Sequence, residues 1–129
     1  MTELTRELFL QPAKIPKEVV PLPELGSEVT VTVVGMTAAQ RADFELSLQQ
    51  KNGKPSRARQ REIRERLVIA CCRDSNNNRI FTHDDIGAIS QQSAALVERI
   101  ALASMRVCGM SDNDIESLAG NLESSIADD

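Results

Sequence analysis

Residues 90–108, SQQSAALVERIALASMRVC, contain no proline and no glycine, and only Glu98, Arg99 and Arg106 carry charge. Val97, Ile100, Ala101, Ser104 and Cys108 recur at helical spacing and share one face, and Leu96, Ile100, Ala103 and Val107 line the face beside it. The polar side is a narrow strip of Gln92, Ala95, Arg99, Leu102 and Arg106. A helix that is apolar around most of its circumference must be enclosed by other elements. Ser90 fits the N-cap, and Gly109 stands where a left-handed residue ends a helix. The stretch is a centre for packing, and no pattern within it suggests chemistry.

What encloses it has to be aliphatic, because the 129 residues include three Phe and no Trp or Tyr. That length suits one domain with a real core. No apolar run approaches the roughly 20 residues needed to span a bilayer. The opening MTELTRELFLQPAK carries acids and lacks an apolar core region, so it does not read as a signal peptide. Cys71, Cys72 and Cys108 are an odd count without metal-ligand spacing, which reads as buried, reduced thiols in a cytosolic protein.

Along the chain, residues 1–16 read as an irregular segment. Leu4, Leu8, Phe9 and Leu10 allow a turn of helix that Pro12 and Pro16 end. Residues 17–34 read as a β-hairpin. KEVVPL is one strand, which Pro21 and Pro23 confine to an edge, and PELGS is the turn. EVTVTVV then alternates, with Val29, Val31 and Val33 on one face and Glu28, Thr30 and Thr32 on the other. A two-stranded ribbon is marginal alone, so the valine face either rests on a helix or offers an edge to a partner.

Thr37 and Gln40 have capping-box spacing and open a helix running to about Gln50, with Phe44 and Leu48 as an apolar pair. After Asn52-Gly53 and Pro55, a second helix is expected over Arg57–Arg73. It has Ile63, Leu67, Ala70 and Cys71 inside and Arg57, Arg61 and Arg64 on a basic face. DSNNN is a polar turn, and Thr82–Asp85 opens a short helix with Ile86 and Ile89 buried. Ser111-Asp112-Asn113-Asp114 starts a last helix with acids in its first turn. Its apolar seam is Ile115, Leu118, Leu122 and Ile126, too narrow to be explained as core alone. Either it caps the domain or it pairs with a helix of another chain.

Charge is uneven within a net −4. Residues 51–73 carry eight basic and two acidic side chains, and residues 74–129 carry three basic and ten acidic. The strip KNGKPSRARQREIRER has the Arg and Lys clustering that phosphate binding needs but no aromatics for base stacking. It reads first as a solvated face or an inter-subunit match for the acidic half. The alternative is a small nucleic-acid-associated adaptor using residues 51–66. His83 and Asp84 are the place for a hydrolase-like site, yet both read as solvated helix-start residues. Three Cys and one His without CxxC do not make a zinc site, and DSNNNRIFTHDD lacks the EF-hand spacing and its central glycine.

Taken in order, three pieces of the chain resemble one family. They are EVVPLPELGSEVTVTVVGMTAAQRADFE, REIRERLVIACCRDSNNNRIFTHDDIGAI and SAALVERIALASMRVCGMSDNDIESL. Over residues 17–120 their succession resembles the tail assembly chaperones of long-tailed bacteriophages. The resemblance is one of order and spacing, not of a catalytic motif. It implies a small, non-enzymatic protein of the host cytoplasm, absent from the mature virion. Such a protein coats the tape measure protein and recruits tail tube subunits during tail morphogenesis. It also implies the shorter of two lengths that many members have, the longer arising by ribosomal frameshift. The strongly basic stretch 51–66 departs from the family.

The expectation is therefore a mainly α single domain with a small N-terminal β-hairpin (α+β). Residues 1–16 are irregular, the hairpin spans 17–34, and four to five helices span 38–129. No catalytic, metal or cofactor-binding residue is expected. Partner contacts are expected at Val29, Val31, Val33, Arg57, Arg61, Arg64, Ile115, Leu118, Leu122 and Ile126, together with self-association through weak, repeated contacts. Neither a membrane nor a nucleic acid is expected as a partner.

Overall fold

A computed structural model describes residues 2–49, 52–54 and 56–118. The central helix runs Ala94–Cys108 and is numbered α6; it follows α1 (Arg6–Phe9), α2 (Ala38–Leu46), α3 (Arg57–Arg61), α4 (Ile63–Cys71) and α5 (Ile86–Ser90). Residues 112–118 are helical as well. The strands are β1 (Lys17–Pro21), β2 (Thr30–Val34) and β3 (Cys72–Arg73).

Both expected apolar faces of α6 are inside: Leu96, Val97, Ile100, Ala101, Ala103, Ser104 and Val107 are buried, and Met105 joins them. Leu102 and Arg106 of the polar strip face solvent. The helix starts later than its composition suggests. Ser90 closes α5, and Ser93 is the cap, its Oγ accepting from the Leu96 N–H at 3.4 Å. Gln92 Oε1 in turn accepts from the Ser93 N–H at 2.9 Å, so the turn between α5 and α6 is held by side chains. Gly109 ends α6 at φ 68°, the left-handed position expected for it.

The valine ribbon rests on α6. β1 and β2 pair antiparallel, with Val20 opposite Val31 and Glu18 opposite Val33. Val20, Val31 and Val33 are buried against α4 and α6. A third strand, not expected from the sequence, completes the sheet: β3 pairs with β2, placing Thr32 opposite Arg73 and Val33 opposite Cys72. The hairpin is thus two-thirds of a sheet with the order β1-β2-β3. β3 follows α4 without a loop, so α4 stops at Cys71 and not at Arg73.

The expected helix 57–73 is broken at Glu62, whose φ −95° and ψ 17° leave the helical range. α3 buries none of its residues, whereas α4 buries seven of nine. α3 has no apolar side to continue the buried face of α4, and its Arg59 is held instead by the Gln49 carbonyl. α2, expected to run to about Gln50, also ends early, at Leu46, where Ser47 Oγ donates to the Phe44 carbonyl at 2.5 Å. Leu48 is nevertheless buried, from the turn that follows.

Two apolar clusters meet at α6. One joins the sheet, α4, α5 and one side of α6. The other joins Phe44, Leu48, Ile63, Leu67, Met105, Met110 and Ile115 on the far side. Among the described residues, no helix is long and apolar enough to cross a membrane.

Candidate functional site

The first cluster is open at one end. A cavity of about 280 Å³ lies between the hairpin turn and the α5–α6 corner. Val31, Val68, Ile89, Leu96 and Ile100 form its floor and walls, and Leu25, Asp85 and Gln92 also line it. Leu25 is 54% exposed although it is a large aliphatic residue. The cavity therefore offers a greasy interior with a little polarity along its lining, as sites for apolar side chains do.

Local rules set each wall. Pro23–Leu25 form one turn of 3₁₀ helix closed by Gly26, and the Val29 N–H returns to the Gly26 carbonyl at 3.1 Å. That turn is anchored by Arg99, which binds both oxygens of Glu24 at 2.8 and 2.6 Å. On the opposite wall, Asp85 Oδ2 accepts from the Thr82 N–H at 2.8 Å and fixes the entry to α5. Helical spacing marks Ile86, Ile89 and Leu96 as core, but no spacing marks the cavity. Its lining comes from residues 22 to 100, and no local pattern links them.

The expected contact residues divide. Val31 and Val33 are buried beneath α6, so of the two uses open to the valine face the structure takes the helix. Val33 is thereby closed to a partner, whereas Val31 is reached only through the cavity it lines. Val29 lies beyond the strand, in the turn, and is 39% exposed. Ile115 is buried and Leu118 half-buried, both in the second cluster, which makes this part of the seam a cap on the domain. Leu122 and Ile126 lie outside the described residues.

Arg57, Arg61 and Arg64 are exposed. Arg64 pairs with Glu98 of α6, which joins the basic strip to the acidic half within one chain. Arg66 is buried and pairs with Glu62 at 3.2 Å, and Arg59 donates to the Gln49 carbonyl at 2.6 Å. Three of the strip's guanidinium groups thus have internal partners, which leaves a thinner patch than phosphate binding along a backbone would use.

His83 and Asp84 are exposed at the start of α5. His83 borders a depression of about 90 Å³ that includes Ser47, whose hydroxyl is already given to the Phe44 carbonyl. Among the described residues, no three His, Cys, Asp or Glu side chains converge as metal ligands. Cys71 and Cys72 are wholly buried. Burial pushes the Cys72 thiol up to about 12, against a smaller opposing effect of Arg73. Such a thiol acts as a small hydrophobe.

No protein-family model matches the chain, and no curated protein sequence matches it. The fold is nevertheless that of a solved structure, the bacteriophage HK97 tail assembly chaperone. The likeness has a TM-score of 0.56 and covers 83% of this chain and 95% of that one, at 14% identity.

Proposed function

We propose that this chain is a non-catalytic phage tail assembly chaperone. It shields apolar helical segments of the tape measure protein in the host cytoplasm and brings tail tube subunits to them. The observation that carries this reading is the open apolar cavity beside the hairpin turn, set in a fold shared with the HK97 chaperone. An apolar helix presents side chains at i, i+3, i+4 and i+7, and a groove of this kind receives one or two of them at a time. Contacts that small are weak singly, so a long helical client is covered by many copies, each contributing a little.

A second apolar surface supports the same reading. In the N-terminal segment Leu4 and Phe9 are each 71% exposed, and Leu8 and Leu10 are exposed as well. Four large apolar side chains in seven residues, left in water, mark an interaction surface. We assign to it the self-association that covering a long client requires.

The test is co-expression with the tape measure protein of the same phage genome. The client should move from the pellet to the supernatant when the chain is present. A client equally insoluble with and without it overturns the reading.

A further inference from the structure

Cys71 is the last residue of α4, and Cys108 is the last residue of α6. Their Sγ atoms are 3.7 Å apart, in van der Waals contact across the pairing of the two helices. All three cysteines are free thiols, but they differ in access: Cys71 and Cys72 are buried, and Cys108 is partly open to solvent. We propose that Cys108 is an oxidation site and Cys71 its resolving thiol, so that a hydroperoxide converts the pair into a disulfide stapling α4 to α6.

The position suits the step. A disulfide needs its sulfurs at about 2.05 Å, so the pair must close by roughly 1.7 Å. Cys108 stands at the C-terminal end of α6, where the hydrogen-bond ladder runs out and the backbone yields more readily than in mid-helix. Gly109 follows Cys108 in the left-handed conformation, with open space where a Cβ would stand.

The chemistry balances without further reactants. The Cys108 thiolate attacks one peroxide oxygen and the O–O bond breaks. Sulfur keeps that oxygen as a sulfenic acid, and the departing oxygen takes up a proton. The Cys71 sulfur then attacks the Cys108 sulfur. The S–O bond breaks, and the hydroxide leaves as water with the proton from Cys71. The two sulfurs together lose two electrons, and the peroxide gains them.

Reactivity falls on the accessible partner. The hydrogen bond with Cys71 holds the Cys108 thiol below its ordinary range; a backbone hydrogen bond from Met36 and the Arg41 charge act in the same sense, and burial opposes them. Cys71 is pushed up, first by that same hydrogen bond and then by burial. A shared proton that favours thiolate at the more open sulfur is the arrangement of a nucleophile with a waiting second thiol.

The experiment is treatment of the intact chain with hydrogen peroxide, followed by denaturation, alkylation and mass mapping. The expected product retains one alkylatable thiol, at Cys72. It contains a Cys71–Cys108 linked peptide that a dithiol reductant releases, and it melts at a higher temperature than the reduced protein. Cys72→Ser should leave the link intact. Cys71→Ser should trap Cys108 as a dimedone-reactive sulfenic acid, and Cys108→Ser should show neither product. Three alkylatable thiols after oxidation, a link through Cys72, or stable sulfenic acid at Cys108 in the unmutated chain would each overturn the proposal. None of these readouts depends on what the chain binds.

Discussion

The guanidinium of Arg99 grips the Glu24 carboxylate with both ends, Nη1 to Oε1 at 2.8 Å and Nη2 to Oε2 at 2.6 Å, across 75 residues of sequence. Two helical turns further along, Arg106 treats Glu18 in the same way, at 3.1 and 2.6 Å. The polar strip of α6 is therefore a double clasp over β1 and the hairpin turn. Planar, two-pronged pairing of this kind fixes orientation better than a lysine would. Both pairs are solvent-exposed, so each contributes modestly and less at high salt.

The clasp makes the hairpin sensitive to acid. The Arg99 hydrogen bond, followed by a backbone hydrogen bond, lowers Glu24 from 4.5 to about 2, and Arg106 lowers Glu18 from the same value. A carboxylate whose folded pKa lies below its unfolded one stabilises the fold above the unfolded value, and the stabilisation fades as pH falls through the folded value. The contribution should be full above about pH 4.5 and disappear towards pH 2. Urea unfolding of the unmutated chain and of Arg99→Ala should give curves that differ at pH 7 and converge at pH 2–3. A gap of constant size across that range would exclude the clasp as its cause.

Leu67 is 0% exposed on α4 and faces the second cluster. Leu67→Ala should destabilise the fold by about 2–5 kcal/mol through lost burial and the cavity left behind. Leu102, 38% exposed on α6, should change stability by no more than about 0.5 kcal/mol on replacement by Ala. Chemical unfolding of the two variants side by side checks both values.

Two glycines should respond in opposite directions to the same methyl group. A Cβ on Gly35 would stand 2.3 Å from the Val107 carbonyl oxygen, where β2 leaves the sheet and crosses α6. Gly35→Ala should cost about 1–3 kcal/mol as two backbones are forced apart. Gly87 lies inside α5 with nothing within 4 Å of that position. Gly87→Ala should raise stability by about 0.5–1 kcal/mol, because the unfolded chain loses freedom and the helix loses nothing. Melting temperatures shifted down and up, respectively, would establish both.

Leu25→Asp places a charge against the cavity at a residue already half in water. It should leave the melting temperature within a few degrees while reducing the soluble fraction of the co-expressed client several-fold. Leu46→Asp, at a residue 60% exposed and outside that cavity, should do neither. Equal effects of the two substitutions on client solubility would separate the cavity from the function.

Much of the fold was legible because it is set locally. Thr37 and Gln40 bond reciprocally, at 2.9 and 3.1 Å, as their spacing requires. Ser111 and Asp114 do the same at 3.2 and 2.8 Å, and Gly109 turns left-handed where α6 ends. Two features were hidden by length and distance. β3 is two residues long, too short for any alternation to register, and it exists only because β2 is beside it. The break at Glu62 needs no proline or glycine. It falls where the polar RARQR of α3 gives way to the apolar run of α4. The candidate site was the least legible part. The valine face could rest on a helix or meet a partner; Val33 lies under α6 and Val31 lines the cavity, while Leu25, an unremarked turn residue, stands at its edge.

Cys71 ends a helix and Cys72 begins a strand, with no residue between them to absorb a change of direction. The edge strand of the sheet and α4 therefore share one uninterrupted backbone. α4 carries Val68, Ile69 and Cys71 in the first cluster and Ile63 and Leu67 in the second, so its two ends belong to different halves of the core. Helix and sheet are thus one continuous piece of backbone, and amide protection of α4 should rise and fall with that of β2.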